Sequence, residues 1–192
     1  MRTDIINYLQ KEIRKRCESP NNKFGIGVYY HIEAVVKNAK LLAEKNGADL
    51  EIVIIAAWLH DIASITDYSL YEQHHIHGAE MAEEILKTFD YPAGKIEIVK
   101  TCIKTHRGSV PRTKTAKEET YKECICVADA DAISHFDNIP SLLFLAYSTK
   151  KMGYEEGKAF VKGKLSRSYA KLSQESKNFY AKKYDTIMEL LY

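Results

Sequence analysis

Residues that break helices or mark specialised classes of protein are scarce in this sequence. Its 192 residues include only four prolines and nine glycines, and these fall between segments whose apolar residues recur at helical spacing. The longest apolar run is about ten residues, far short of the ~20 that a membrane-spanning helix requires. The formal net charge is only +2, which gives no electrostatic argument for nucleic acid as a partner. The composition favours one soluble globular domain.

Cysteine is also scarce, and no pair has Cys-x-x-Cys spacing. The four are Cys17, Cys102, Cys124 and Cys126. A zinc knuckle on the last two is disfavoured, because side chains two residues apart on a helix point roughly 200° away from each other. We expect reduced thiols. The N-terminal residues MRTDIINYLQKEIRKR contain no continuous apolar stretch of the kind found in signal peptides, so we expect a cytoplasmic protein.

Helical periodicity runs through nearly the whole chain, and no segment alternates like a strand. The first helix is predicted from a cap at Thr3 or Asp4 to about Cys17, and the second ends at Asn46-Gly47. The predicted helices after the first cover about 28–47, 48–63, 75–89, 92–106, 117–136, 140–152, 154–170 and 174–191. The fold class is therefore predicted as an all-α, single-domain helical bundle of eight or nine helices over residues 1–192.

A histidine and an aspartate follow directly on the most apolar segment. The run LEIVIIAAWL, residues 50–59, leads into His60 and Asp61. An ionised carboxylate cannot stay buried there unless an opposite charge or several hydrogen-bond donors compensate it. Further titratable residues lie on apolar helix faces or at helix ends: His31, His74, His75, His77, His106, Asp129 and Asp131.

A divalent metal ion would account for these residues together. Imidazole nitrogens and carboxylate oxygens suit first-row transition metals, and helix packing would hold ligands from separate helices in place. The gaps between the residues are long and irregular. Spacing alone therefore does not distinguish a metal site from buried histidines with ordinary hydrogen bonds, and His31 taken alone is typical of the second case.

In order and setting, these residues resemble the HD-domain superfamily of metal-dependent phosphohydrolases. The resemblance rests on a histidine, a His-Asp doublet in HDIA at the end of a buried helix, and a distant aspartate in CVADADAIS. It implies a metal-site core over about 28–137, with C-terminal helices over about 140–191 packed on it. The family pattern fits Asp131 better than Asp129. The implied ligands of a first ion are His31, His60, Asp61 and Asp131.

The resemblance extends to HD subfamilies that hold two metal ions. His74 precedes a Gly-Ala pair by four residues and His106 ends the following helix, as the two additional histidines of those subfamilies do. His77 is the alternative to His74, since it lies three residues on along the same helical face. The implied cofactor is one or two divalent transition-metal ions (Mn, Fe, Co, Ni or Zn), with Asp61 as a bridge.

The resemblance implies hydrolysis of a phosphomonoester or nucleotide by attack of metal-bound hydroxide. Asp61 and Arg107 are the catalytic candidates, Arg107 as a bidentate phosphate contact. No GYP triplet follows the doublet, which argues against a cyclic-dinucleotide phosphodiesterase. The choice between phosphatase and phosphodiesterase stays open. The alternative is a non-catalytic sensor that holds a phosphorylated ligand through the metal.

The expected partner is a small phosphorylated substrate, with nucleic acid disfavoured, no membrane, and a homo-oligomer compatible with the sequence. Lysines are frequent between residues 150 and 183. We interpret them as solvated helix faces, with an RNA or polyphosphate surface as the alternative.

Overall fold

Helices account for nearly all of the chain in the computed structural model, which describes residues 1–107 and 121–191. The α-helices are α1 (Thr3–Glu18), α2 (Gly27–Asn46), α3 (Leu50–Leu59), α4 (Ile62–Thr66), α5 (His74–Lys87), α6 (Ala93–Thr105), α7 (Tyr121–Asp137), α8 (Ile139–Leu143), α9 (Tyr154–Lys171) and α10 (Gln174–Leu190). A 3-10 turn covers Tyr68–Gln73 and a π-helical turn covers Phe144–Thr149. The described residues contain no strand, and eight of the helices have ten residues or more. The predicted all-α bundle of eight or nine helices is confirmed.

Most predicted helix boundaries lie within a few residues of the observed ones. The predicted cap of α1 is wrong, because Arg2 is the N-cap residue, and its side chain makes no capping hydrogen bond. The predicted helix 140–152 is instead the short α8 followed by the π-helical turn. The first four residues of the predicted helix 117–136 lie outside the described residues.

Helix α3 occupies the centre of the bundle. Eight of its ten residues are buried, and it packs against α1, α2, α6 and α7, as a helix that is apolar all round must. Its start is fixed by Asp49, whose carboxylate accepts hydrogen bonds from the backbone N–H groups of Glu51 and Ile52 at 3.0 and 3.2 Å. Because α3 runs into the interior, the residues that follow Leu59 are delivered to the middle of the protein.

The prediction of a continuous helix over 48–63 is wrong. The helix ends at Leu59, Asp61 has φ −109° and ψ 10°, and α4 begins at Ile62. His60 still has helical backbone angles, and the chain leaves the helical path at Asp61. The His-Asp doublet therefore lies at a corner between two helices and not along the side of one.

Two helix pairs surround this corner, and the C-terminal helices cover it. Helices α2 and α7 pack along each other, and α5 packs on α6. Helices α9 and α10 pack on α7 through a second apolar cluster that includes Ile133, Phe136, Val161 and Leu165. The bounds that the resemblance implied for a core and a C-terminal part stay a prediction.

Glu51, in the first turn of α3, connects the N-terminus to α6. Its side chain is only 14% exposed. It accepts hydrogen bonds from the backbone N–H of Arg2 at 2.7 Å, the Tyr91 hydroxyl at 2.9 Å and the Lys95 ammonium at 3.2 Å. Burial opposes its ionisation, but these donors outweigh burial and lower the pKa of Glu51 to about 2.

The four cysteines are buried and form no disulfide bond with one another. The Sγ atoms of Cys102 in α6 and Cys124 in α7 are 3.8 Å apart, and the hydrogen bond between them, together with burial, raises the pKa of the Cys102 thiol. Within residues 1–107 and 121–191, the helices are too short or too polar to cross a bilayer.

Candidate metal centre

Five of the six side chains predicted as metal ligands line one cavity, and the sixth, His60, is buried next to Asp61. They form two overlapping groups, His31 with His60 and Asp61, and Asp61 with His74 and His106. Within each group one ligand atom of every residue lies within 4.8 Å of the others. Asp131 completes the set through His31, since its Oδ1 lies 3.3 Å from His31 Nε2. Five different helices or helix ends therefore contribute to one site.

The carboxylate oxygens of Asp61 lie between the imidazoles of both groups. Oδ2 is 3.4 Å from Nε2 of His60, and Oδ1 is 3.3 Å from Nε2 of His74. Oδ1 is also 4.0 Å from Nε2 of His106. His60 Nε2 reaches Asp131 Oδ1 at the same distance of 4.0 Å. Asp61 therefore occupies the position of a carboxylate shared between two sets of imidazoles.

Backbone carbonyls fix the orientation of three of these imidazoles. In His60, His74 and His106 the Nδ1–H donates to the carbonyl three residues earlier, at 2.8, 2.6 and 2.6 Å. Because a carbonyl only accepts, Nδ1 must carry the hydrogen in each ring. The other ring nitrogen, Nε2, is thereby directed at the carboxylate of Asp61 in each case. Fixing the tautomer by a hydrogen bond behind the ligand is the common arrangement in histidine metal sites.

His31 is oriented by a hydroxyl group. The Ser134 hydroxyl donates to the backbone carbonyl of Asp131 at 2.6 Å, so its oxygen accepts from His31 Nδ1 at 2.9 Å. This arrangement leaves Nε2 of His31 to face the Asp131 carboxylate. Ser134 therefore connects two of the candidate ligands, one on α2 and one on α7.

The buried Nε2 atom of His60 bears on whether the residues fit a metal ion. His60 is fully buried, and its Nε2 has no hydrogen-bond partner within the described residues. A buried polar atom left in this way costs free energy. Neutral imidazole Nε2 atoms beside carboxylate oxygens are the donor set that first-row transition metals prefer. The residues present therefore fit a divalent ion.

The electrostatics favour ionised carboxylates and a neutral His106. For His60, burial opposes protonation, but the neighbouring Asp61 outweighs burial and raises the pKa of the imidazole. Burial opposes ionisation of Asp61, but His60 outweighs it and holds the pKa of Asp61 well below its ordinary value. Burial likewise opposes ionisation of Asp131, and Lys171 outweighs it, so the pKa of Asp131 is also well below normal. Burial and the neighbouring His60 lower the pKa of His106 to about 3. Ionised carboxylates and neutral imidazoles are the ligating forms.

The structure separates the alternatives that the sequence left open. Asp129 faces away from the cluster and accepts hydrogen bonds from the backbone N–H of Ser173, at 3.0 Å, and from its hydroxyl. His77 is partly exposed and its Nδ1 lies 3.2 Å from Glu80. Asp131 and His74 lie in the cluster instead. Their role as ligands stays a prediction.

Arg107 lies at the rim of the same cavity. Its guanidinium donates to the backbone carbonyl of Glu72 and lies 3.4 Å from the Glu72 carboxylate. Its side chain is 31% exposed. Arg107 therefore lies near the metal cluster, but Glu72 already binds its guanidinium. Its role as a phosphate contact stays a prediction.

The cavity has a volume of about 760 Å³ and three chemically different walls. One wall is the cluster of imidazoles and carboxylates. The second is aromatic: the rings of Tyr68 and Tyr71 stack at 5.6 Å with an interplanar angle of 6°, and Phe24 lies 5.5 Å from Tyr71. The third wall is α9, which contributes Lys164 and Lys171. The site thus combines metal-ligating, aromatic and cationic groups.

Residues 28–135 match the family model of the HD domain. The chain belongs to the HD domain family. HD domains generally are metal-dependent hydrolases and usually bind divalent metals. The HD match ends at His135, so it includes the six candidate ligands but not α9 or α10.

The chain is also similar to individual proteins of known sequence or structure. An uncharacterized protein of Clostridium beijerinckii is 35% identical over 107 residues, which are 55% of this chain and 66% of the relative. This chain therefore spans just under two thirds of that relative. The structure of Bacillus subtilis YpgQ has a TM-score of 0.70 at 16% identity, over 98% of this chain and 92% of that one.

Two further structures extend the comparison. YpgQ in complex with ADP has a TM-score of 0.64 at 19% identity, over 95% of this chain and 93% of that one. A predicted HD superfamily hydrolase from an uncultured Thermotogales bacterium has a TM-score of 0.55 at 22% identity, over 86% and 85% of the two chains. At these identities the likeness shows the HD fold.

Sequence reasoning did not assign Lys164, Lys171 or His135 to the cavity, which all three line. The interpretation of the lysine-rich segment as solvated faces is wrong for Lys164 and Lys171, which are partly buried against the cavity. Their spacing of seven residues, which places both on one face of a helix, was the available signal. His135 is buried, its ring centroid lies 4.6 Å from that of His31, and its Nδ1 lies 3.3 Å from Ser168 Oγ. It follows Asp131 by four residues, so the same periodicity could have found it.

Proposed function

We propose that this HD protein is a metal-dependent phosphohydrolase that acts on a nucleotide or another small phosphorylated compound. The observation that carries the proposal is the convergence of four imidazoles and two carboxylates, among which the buried Nε2 of His60 has no hydrogen bond within the described residues. His31, His60, Asp61 and Asp131 are the proposed ligands of a first ion. His74 and His106 are the proposed ligands of a second, with Asp61 shared.

A divalent ion in such a site lowers the pKa of a coordinated water and neutralises charge on a phosphoryl oxygen. The protein's own contribution is orientation. The backbone carbonyls behind three of the imidazoles and Ser134 behind His31 fix the rings before any ligand arrives. Preorganised groups act at no reorganisation cost during the reaction. Arg107 at the rim is proposed to bind a phosphate oxygen once it leaves Glu72.

The walls of the cavity support a nucleotide as the substrate. A volume of about 760 Å³ lies within the range of roughly 300–1,000 Å³ typical of small-molecule sites. The stacked rings of Tyr68 and Tyr71 offer an apolar face of the kind on which bases stack, and the lysines of α9 offer positive charge for phosphates. The bound ADP in the YpgQ structure is consistent with this choice.

The lysines also favour hydrolysis over the alternative of a non-catalytic sensor. A metal ion alone is enough to hold a phosphorylated ligand. Phosphoryl transfer additionally develops charge on the leaving and equatorial oxygens, which further cations stabilise. Lys164 and Lys171 lie in the same cavity as the candidate ligands, where such charge would develop.

A substrate and metal panel tests the proposal. Protein stripped with a chelator is assayed against nucleoside mono-, di- and triphosphates, p-nitrophenyl phosphate and bis-p-nitrophenyl phosphate, each with Mn²⁺, Fe²⁺, Co²⁺, Ni²⁺, Zn²⁺ or Mg²⁺. We expect metal-dependent release of phosphate or pyrophosphate from at least one nucleotide. Tight metal binding without turnover of any substrate would favour the sensor, and absence of metal binding would overturn both functions.

A further inference from the structure

Lys171 is the last residue of α9 and lies outside the segment matched by the HD family model. Its ammonium forms an ion pair with Oδ2 of Asp131, while Oδ1 of the same carboxylate faces His31 Nε2 at 3.3 Å. The ammonium also lies 3.5 Å from the backbone carbonyl of His106. A lysine from the C-terminal part of the chain thus engages a candidate metal ligand directly.

This arrangement places two cations in competition for one carboxylate. With the metal absent, Lys171 supplies the counter-charge that a buried Asp131 requires. A divalent ion on His31 and Asp131 would lie close to the ammonium, and the repulsion between them is large at such distances. The lysine side chain is a flexible four-carbon stem. Its ammonium is therefore able to leave Asp131 without movement of α9.

The cavity is the space into which the Lys171 ammonium would move. Lys171 is 15% exposed on the cavity side, and Lys164 lies on the same face of α9. Burial lowers the pKa of Lys164, although the neighbouring Asp131 raises it. Two ammonium groups at one wall attract an anion once one of them has lost its carboxylate partner. The phosphate groups of a substrate are the anions that this cavity would receive.

We propose that Lys171 is an exchange residue, which neutralises Asp131 while the metal is absent and binds the substrate phosphate once the metal occupies the site. The proposal rests on the proposed metal-dependent function. Metal binding then prepares the phosphate site, and by reciprocity phosphate increases the affinity for metal by the same factor. Lys171 thus couples the binding of the metal to the binding of the phosphate.

Titration calorimetry of chelator-treated protein with Mn²⁺ and with inorganic phosphate tests the exchange. We expect Lys171→Met to bind Mn²⁺ about tenfold more tightly than wild type, because a competing charge is removed. We expect the same variant to bind phosphate about tenfold more weakly in the presence of Mn²⁺, because a charge-assisted contact is lost. Lys171→Arg should retain the phosphate affinity. Lys171→Gln repeats the test with a polar side chain if the methionine variant does not fold.

The matched control is Lys158→Met. Lys158 lies on the same helix and also forms an ion pair, with Glu155 at 3.1 Å, but does not line this cavity. Lys158→Met should leave the affinities for Mn²⁺ and for phosphate unchanged. Unchanged or weaker Mn²⁺ binding by Lys171→Met and Lys171→Gln would overturn the exchange while leaving the proposed function intact. Failure of wild-type protein to bind Mn²⁺ would overturn both.

Discussion

Replacement of Asp61 by asparagine distinguishes a metal ligand from a structural carboxylate. Within the described residues, the ionic partners of Asp61 inside 4.0 Å are His60, His74 and His106, and no lysine or arginine is among them. Asparagine keeps the shape of the side chain and removes its charge, and its amide can donate to an imidazole nitrogen. We therefore expect the metal-free fold of Asp61→Asn to be as stable as wild type or slightly more stable.

The expected effect of metal on wild type follows from mass action. An ion present at about 1,000 times its Kd adds about 4 kcal/mol to the free energy of unfolding. For a chain of this length, one kcal/mol shifts the Tm by about 2–4 °C, so the metal should raise the Tm by roughly 8–16 °C. Asp61 belongs to both groups of candidate ligands, and its replacement should abolish most of this increase.

Thermal melts with a chelator measure the stability of the metal-free fold, and melts with Mn²⁺ measure the increase in Tm that the metal causes. The matched control is Asp129→Asn, because Asp129 is a buried carboxylate that binds Ser173 at the start of α10. We expect this variant to lose about 1–2 kcal/mol of stability with or without metal and to keep the increase in Tm. A loss of about 3–5 kcal/mol in Asp61→Asn, equal under both conditions, is the result expected of a structural ion pair and would refute the ligand assignment.

Three further predictions concern individual residues. His74→Gln should reduce metal content and activity while His77→Gln leaves both near wild type, as measured by metal analysis and a hydrolysis assay; the reverse result would mean that the wrong histidine was chosen. Ser134→Ala should weaken Mn²⁺ binding by about 10–100-fold, because His31 loses the acceptor that orients it, and an unchanged affinity would contradict this role. Glu51 has a folded-state pKa of about 2 against an ordinary 4.5, so its ionised form contributes about 1–3 kcal/mol after solvent screening, present above pH 4.5 and lost as the pH falls towards 2. Urea unfolding of wild type and Glu51→Gln should therefore differ at pH 7 and converge near pH 2–3, and a difference independent of pH would contradict the assignment.

The sequence by itself determined the helices and the place of the His-Asp doublet. Apolar residues at helical spacing predict which segments are helical and which face each one buries, because burial of that face is what stabilises a helix in water. The run 50–59 is apolar all round, so it had to lie in the centre, and His60 and Asp61 had to follow it there. Helix formation and the choice of the buried face depend on residues within a few helical turns of each other, so the sequence alone is enough to predict them.

The tertiary structure alone decided which side chains meet. Asp129 and Asp131 both lie on an apolar helix, and the sequence does not say that one binds Ser173 while the other faces His31. Lys171 reaches Asp131 across 40 residues of chain because α9 packs on α7. The spacing of apolar residues predicts which face of a helix is buried. It does not predict which other helix packs against that face. The partner depends on how all the helices pack together, and that packing turned a lysine that sequence reasoning placed in solvent into part of the candidate site.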